Sequence, residues 1–254
     1  MLDQALALLL PFFIGIVAGT VGSLLGVGGG SIMTPLLVAA GYGIQEAVPA
    51  SLLAIVGTSV GGLYVYEQEN LVDYRLAALF LSATVLGSII GITIAIVGGA
   101  SIMKLILAIV LVYTGITMTM RVLRGQAEKA GGAETPARLL VGWAASILAG
   151  MVSVLAGVGG GILKVPIMNR VVGIEIKRAV ATSKLMVGVT ASAGVLGYYL
   201  MGALNPNLGL TLMAGTLIGG LAGSKLGVTV SSKTMTILFA AFLIVMSVVV
   251  ILRG

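Results

Sequence analysis

The chain has no cysteine and no histidine, and charged residues fill only 9% of its 254 positions. The absence of cysteine removes disulfides, a thiol nucleophile and thiolate metal sites. The absence of histidine removes the commonest metal ligand and the commonest general base near neutral pH. An ordinary soluble domain is about 25% charged. That scarcity, with 59% hydrophobic residues and a mean hydropathy of +1.19, excludes a soluble globule. The acids are Asp3, Glu46, Glu67, Glu69, Asp73, Glu128, Glu134 and Glu175, all at termini, loops or predicted helix ends. No acid pair lies within an apolar run, so an intramembrane enzyme is disfavoured and a buried Asp/Glu/His proton relay is not visible. Glu46 and Glu175 are the only symmetrically placed acids. No catalytic residue, cofactor or metal site is expected.

The net charge of +6 does not point to nucleic acid, because the basic residues are scattered over helix ends rather than gathered on a soluble surface. The start, MLDQALALLL, carries an acid and no basic n-region, which argues against a cleaved signal peptide. What the chain has in abundance is apolar sequence. Runs near 5–25, 47–66, 75–97, 101–123, 138–156, 179–201, 207–229 and 233–252 are each long enough to cross a bilayer as a helix. They are continuous rather than alternating, which excludes a barrel. The expectation is an all-α polytopic protein of the cell membrane.

The chain repeats itself. LLGVGGGSIMTP at 24–35 matches LAGVGGGILKVP at 155–166, and AVPAS at 47–51 matches AVATS at 179–183. Gly26, Gly28, Gly29, Gly30 and Pro35 recur 131 residues on, while Thr58, Gly87 and Gly91 recur 132 residues on as Thr190, Gly219 and Gly223. Residues 1–124 therefore read as a first transmembrane repeat, 138–254 as a second, and the polar stretch 125–137 as the linker between them. Each repeat holds four full-length helices and one short apolar piece, 31–41 or 162–171, after its glycines. Ten helical residues rise about 15 Å, so glycine break and short helix together just span a hydrocarbon layer of about 30 Å.

Charge placement chooses between two topologies. If the short pieces do not cross, the repeats are parallel, and the basic residues outside the spans divide six against six. If they do cross, the repeats are inverted. One side then collects Arg75, Arg121, Arg124, Lys129, Arg138, Arg170, Lys177, Arg178, Lys225 and Lys233, leaving Lys104 and Arg253 opposite. The second division obeys the positive-inside rule. The expectation is two inverted repeats with both termini outside.

Inverted repeats that meet at broken helices belong to secondary transporters, whose substrates bind at the breaks. Consecutive glycines let backbone N–H groups converge, and a following helix start adds positive partial charge, so an anion is the natural occupant. The alternative is close helix packing, the reading preferred for Gly15/Gly19, Gly87/Gly91 and Gly215/Gly219/Gly223/Gly227. Adjacent glycines cannot all face one neighbouring helix, which favours binding for the triplets Gly28, Gly29, Gly30 and Gly159, Gly160, Gly161. Neither triplet completes a nucleotide fingerprint.

Paired G-x-G-G-G-x-(I/L)-x-x-P segments, each leading into an AV-x-x-S helix start, resemble the TauE/SafE family of sulfite and organosulfonate exporters. The resemblance covers nearly the whole chain, duplication and linker included. It implies export of small sulfur anions such as sulfite or sulfoacetate. Lys164 and Lys184 fit that chemistry, because a lysine inside an apolar span marks a functional site by default; the alternative is snorkelling to a helix end. Their first-repeat counterparts are uncharged. Ser31, Thr34, Ser51, Thr58, Thr182, Ser183 and Thr190 can donate to sulfonate oxygens, or bond their own helices instead. The alternative is an anion channel, separated from a carrier by non-saturating flux, or a transporter of another small anion or metabolite. A structural membrane protein would carry none. The expected partners are the bilayer and a small anionic substrate, with oligomeric state open.

Overall fold

A computed structural model describes residues 2–24, 26–123 and 135–227. The last expected span, 233–252, and most of the linker lie outside the described residues. All regular structure among the described residues is helical. The order is α1 (Leu2–Leu24), α2 (Gly30–Ala39), α3 (Ile44–Gln68), α4 (Tyr74–Leu123), α5 (Pro136–Ala156), α6 (Gly161–Pro166), a π-helical turn (Ile167–Val172), α7 (Ile176–Leu200) and α8 (Pro206–Gly227). α4 is two helical stretches broken at Gly99, whose φ of 60° and ψ of −160° leave the helical region. The break falls where the sequence separates its runs at 75–97 and 101–123. The π turn has a local cause. Pro166 lacks an N–H and its ring crowds the preceding turn, so the chain widens immediately after it, and the Asn169 side-chain amide caps the exit by donating to Ile174 O at 2.9 Å.

Among the described residues four stretches, Ile44–Gln68, Tyr74–Tyr113, Pro136–Ala156 and Lys177–Leu200, are long and apolar enough to cross a membrane. Large apolar side chains line their outer faces: Ile89, Val97, Leu105, Leu148 and Leu196 are all exposed. Exposed apolar surface on that scale belongs against lipid. This is a multi-pass membrane protein.

With lipid outside, hydrophobic burial does not drive the helices together, so small residues that admit close backbone approach do the packing. α1 lies on α8, α4 on α5, and α3 between α7 and α8. A Cβ added at Gly19 of α1 would stand 2.8 Å from the Thr216 backbone of α8. The same contact recurs between Gly150 of α5 and the Thr84 backbone of α4. Gly215, Gly219 and Gly223 press on the α1 backbone, and Gly87 and Gly91 on α5, so these are packing glycines, as their four-residue spacing suggests.

Candidate functional site

The two glycine runs are breaks, and they meet. Gly26, Gly28 and Gly29 have φ of 71°, 92° and 80°, and their counterparts Gly157, Gly159 and Gly160 have 64°, 77° and 69°. A residue with a Cβ adopts this left-handed region only at a cost of about 1–2 kcal/mol, which explains why the sequence holds glycine at all six positions. The breaks also climb in the same way. Gly26 abuts Val180, four residues into α7, and Gly28 abuts Val187 near the middle of that helix. Gly157 abuts Val48, four residues into α3, and Gly159 abuts Ile55 near its middle. At mid-length the two breaks touch: a Cβ on Gly161 would lie 2.8 Å from Val27 O and 2.9 Å from Gly26 O.

From there the chain turns into the short helices. Gly29 is the N-cap of α2 and Gly160 that of α6, and neither helix has a side-chain cap. The first N–H groups of a helix have no acceptor within it, and glycine supplies no side chain to satisfy them. Gly28, Gly29, Gly30, Gly159, Gly160 and Gly161 are all buried. Ile55 and Val187, repeat counterparts of one another, pack over both Gly28 and Gly159. The sequence reading missed this apolar pair, although the 132-residue offset relates them.

Lys164 is fully buried on α6. A helical side chain points back toward the N-terminus, and Cε of Lys164 indeed reaches the N-cap, 3.4 Å from where a Gly160 Cβ would stand. Its Nζ donates to Met186 O at 3.1 Å and to Thr190 Oγ1 at 2.6 Å. The Thr190 hydroxyl bonds Met186 O at 2.6 Å and Thr84 Oγ1 at 3.2 Å. No carboxylate is among these partners. In the first repeat the corresponding place is taken by Met33, which is buried.

Lys184 is not at the surface; it is fully buried too. It leaves α7 in another direction, donating to Ser23 Oγ of α1 at 2.9 Å. The two lysines therefore occupy separate clusters, one among α4, α6 and α7, the other among α1, α3, α7 and α8.

The hydroxyls divide likewise. Thr34 Oγ1 donates to Gly157 O at 3.1 Å and ties the first repeat to the opposite break, whereas Ser183 Oγ donates to Val180 O of its own helix at 2.8 Å, with Gly26 O farther off at 3.4 Å. Thr58 Oγ1 bonds Ala54 O within its own helix at 3.3 Å. Ser31 and Ser51 are fully buried, with hydroxyls that have no partner among the described residues. Thr182 stands apart from the breaks, its Oγ1 accepting the Asp73 N–H at 2.9 Å beside the Arg178–Asp73 ion pair. Glu46 is engaged at the other end of the molecule, accepting from Asn205 Nδ2 at 2.7 Å. Among the described residues no group of acids or other ligands is placed to hold a metal ion.

The chain is similar to proteins described as probable membrane transporters. The sequence is 26% identical over 262 residues to the probable membrane transporter protein YunE of Bacillus subtilis, covering 95% of this chain and 96% of that one. It is 24% identical over 269 residues to a probable membrane transporter protein of Methanocaldococcus jannaschii, covering 99% and 98%. No solved structure gives a significant match. The family described as sulfite exporter TauE/SafE matches residues 11–250. The chain, with its paired glycine breaks, belongs to that family.

Proposed function

We propose that this protein is a secondary transporter that exports small sulfur-containing anions, sulfite or organosulfonates such as sulfoacetate, through a site between the two glycine breaks. The observation that carries the reading is Lys164: a cation-forming side chain with no exposed surface, no carboxylate among its partners, and its stem against the N-cap of a broken helix. Burying an unpaired charge is costly. A transported anion supplies the missing charge, and the uncapped N–H groups of α2 and α6 supply donors. Sulfite and sulfonate groups present several oxygens on one centre, which suits donors converging from two breaks. Thr190 orients the lysine, while Ser31 and Ser51 keep hydroxyls free to bind.

The reading includes an inverted arrangement of residues 1–124 and 138–254 about the cytoplasmic linker 125–137. Its support is the positive-inside bias together with contacts that occur twice, such as Gly19 on Thr216 and Gly150 on Thr84. Ile55 and Val187 lie over both breaks, so binding requires them to part. That makes this pair the closure of the site, and alternating access the mechanism. A cytoplasm-negative potential drives a monovalent anion outward by about 2.3 kcal/mol per 100 mV, so export needs no proton relay.

The test is flux through proteoliposomes of the purified protein, offered sulfite, sulfate, thiosulfate or sulfoacetate with and without a pH gradient. Saturable movement of sulfite or sulfoacetate, lost in Lys164→Met, is the expected result. Saturable movement of a different anion would leave the transporter and overturn the substrate. Non-saturating flux would make the protein a channel.

A further inference from the structure

The environments of the repeat-related positions around Lys184 are opposite in polarity. On one side of the breaks Lys184, Ser23 and Ser224 are all fully buried, and Lys184 Nζ donates to Ser23 Oγ at 2.9 Å. The Ser224 hydroxyl turns to the Tyr66 hydroxyl. Gly62 leaves the space between them: a Cβ there would lie 3.1 Å from Ser224 Oγ and 3.2 Å from both Cδ and Cε of Lys184. The repeat offsets carry these residues to Leu52, Val154, Ile92 and Gly194, none of which has a polar side chain. A Cβ on Gly194 would meet Leu52 at 3.0 Å and Val154 at 3.2 Å. The scaffold of the two places is nevertheless the same. Tyr66 OH donates to Ser23 O at 3.4 Å, and Tyr198 OH donates to Val154 O at 3.2 Å.

We infer that Lys184, Ser23 and Ser224 form a second oxyanion site, separate from the one at Lys164, which loads substrate from the side where α3 ends and α7 begins. Tyr66, which donates to Ser23 O, is two residues from the end of α3, and Lys184 is eight residues into α7. That face is the cytoplasmic one in the inverted arrangement, so the inference rests on the reading above for its direction. Nothing in packing calls for a lysine here, since Leu52 fills the related position in an otherwise similar frame. A buried lysine whose partner is a hydroxyl rather than a carboxylate is a site built for an anion that arrives from that side only. The apolar Leu52–Val154 counterpart offers no such stop, so an anion released outward meets no matching site.

The native absence of cysteine gives a clean test. Ser224→Cys in the full chain, in inside-out vesicles, is reacted with two methanethiosulfonates, one bearing a sulfonate and one a trimethylammonium group. Each rate is normalised to a free thiol. The expected result is a preference for the anionic reagent of about fivefold or more, the scale of one nearby charge. The preference should be lost when Lys184→Met or Lys184→Gln is added, and sulfoacetate should slow the anionic reaction. No reaction from this face, no charge preference, or a preference unchanged by both lysine variants would overturn the inference. The two failures are separable. A charge preference in a protein whose wild type moves no sulfite or sulfoacetate keeps this anion site and removes the export reading. Flux without the preference does the reverse.

Discussion

Gly30 stands on Gly157: a Cβ at Gly30 would run into the Gly157 carbonyl oxygen, and Gly161 stands on Val27 and Gly26 in the same way. The glycines of each triplet are therefore not equivalent. Gly30 and Gly161 face backbone, which cannot give way, whereas Gly28 and Gly159 face the methyl groups of Ile55 and Val187.

Alanine at Gly30 or Gly161 should accordingly lower the melting temperature in step with activity, as should Gly219→Ala, which would strike Ile16 O. Gly28→Ala and Gly159→Ala should cost about 1–2 kcal/mol from the left-handed backbone, yet lose most transport, because the added methyl occupies the binding gap. Melting temperature and sulfoacetate affinity measured on the same detergent preparations check the ranking. Normal affinity in Gly159→Ala would remove the break from the site.

Lys164→Met keeps the volume and removes the charge. It should fold, insert, and bind sulfoacetate at least about tenfold more weakly, a loss of about 1.4 kcal/mol. Thr190→Val, which removes the 2.6 Å partner of Nζ, should show a smaller loss. Titration calorimetry on both variants is the measurement, and unchanged affinity in Lys164→Met would assign that lysine a structural role.

Thr182 belongs with Asp73 rather than with the breaks. Thr182→Val should cost about 1 kcal/mol of stability, the worth of one buried hydrogen bond, and leave the half-saturating sulfite concentration unchanged. A shifted half-saturation with normal melting would return Thr182 to the substrate path.

Single cysteines report the topology without background. A cysteine at position 205 should react with an impermeant maleimide from outside intact cells, and one at position 130 only after the membrane is opened. Labelling of position 130 from outside would reverse the inverted arrangement.

Flux of a monovalent sulfonate should respond to a valinomycin-clamped potassium potential, by about 2.3 kcal/mol of driving force per 100 mV, and not to a pH gradient imposed at zero potential. Strict dependence on the pH gradient would demand a proton pathway, for which Glu46 and Glu175 are the acids to replace.

The sequence by itself determined the solvent and the local backbone. Scarce charge and long apolar runs require a membrane, and glycine triplets in such runs require a break, because those properties depend on residues near one another in the chain. Duplication was legible for the same reason, as a fixed offset between identical motifs. Which side chains share a place depends instead on the rotation and depth of helices far apart in sequence, and periodicity does not encode either. Only the tertiary structure brought Gly30 to Gly157, laid Ile55 and Val187 over both breaks, and engaged Thr182 with Asp73. It also parted two lysines that look like one cluster in the sequence. Lys164 reaches Thr190 of α7 from a short helix, while Lys184 leaves another face of α7 for Ser23, because the break after Gly157 turns α6 back against the middle of α7.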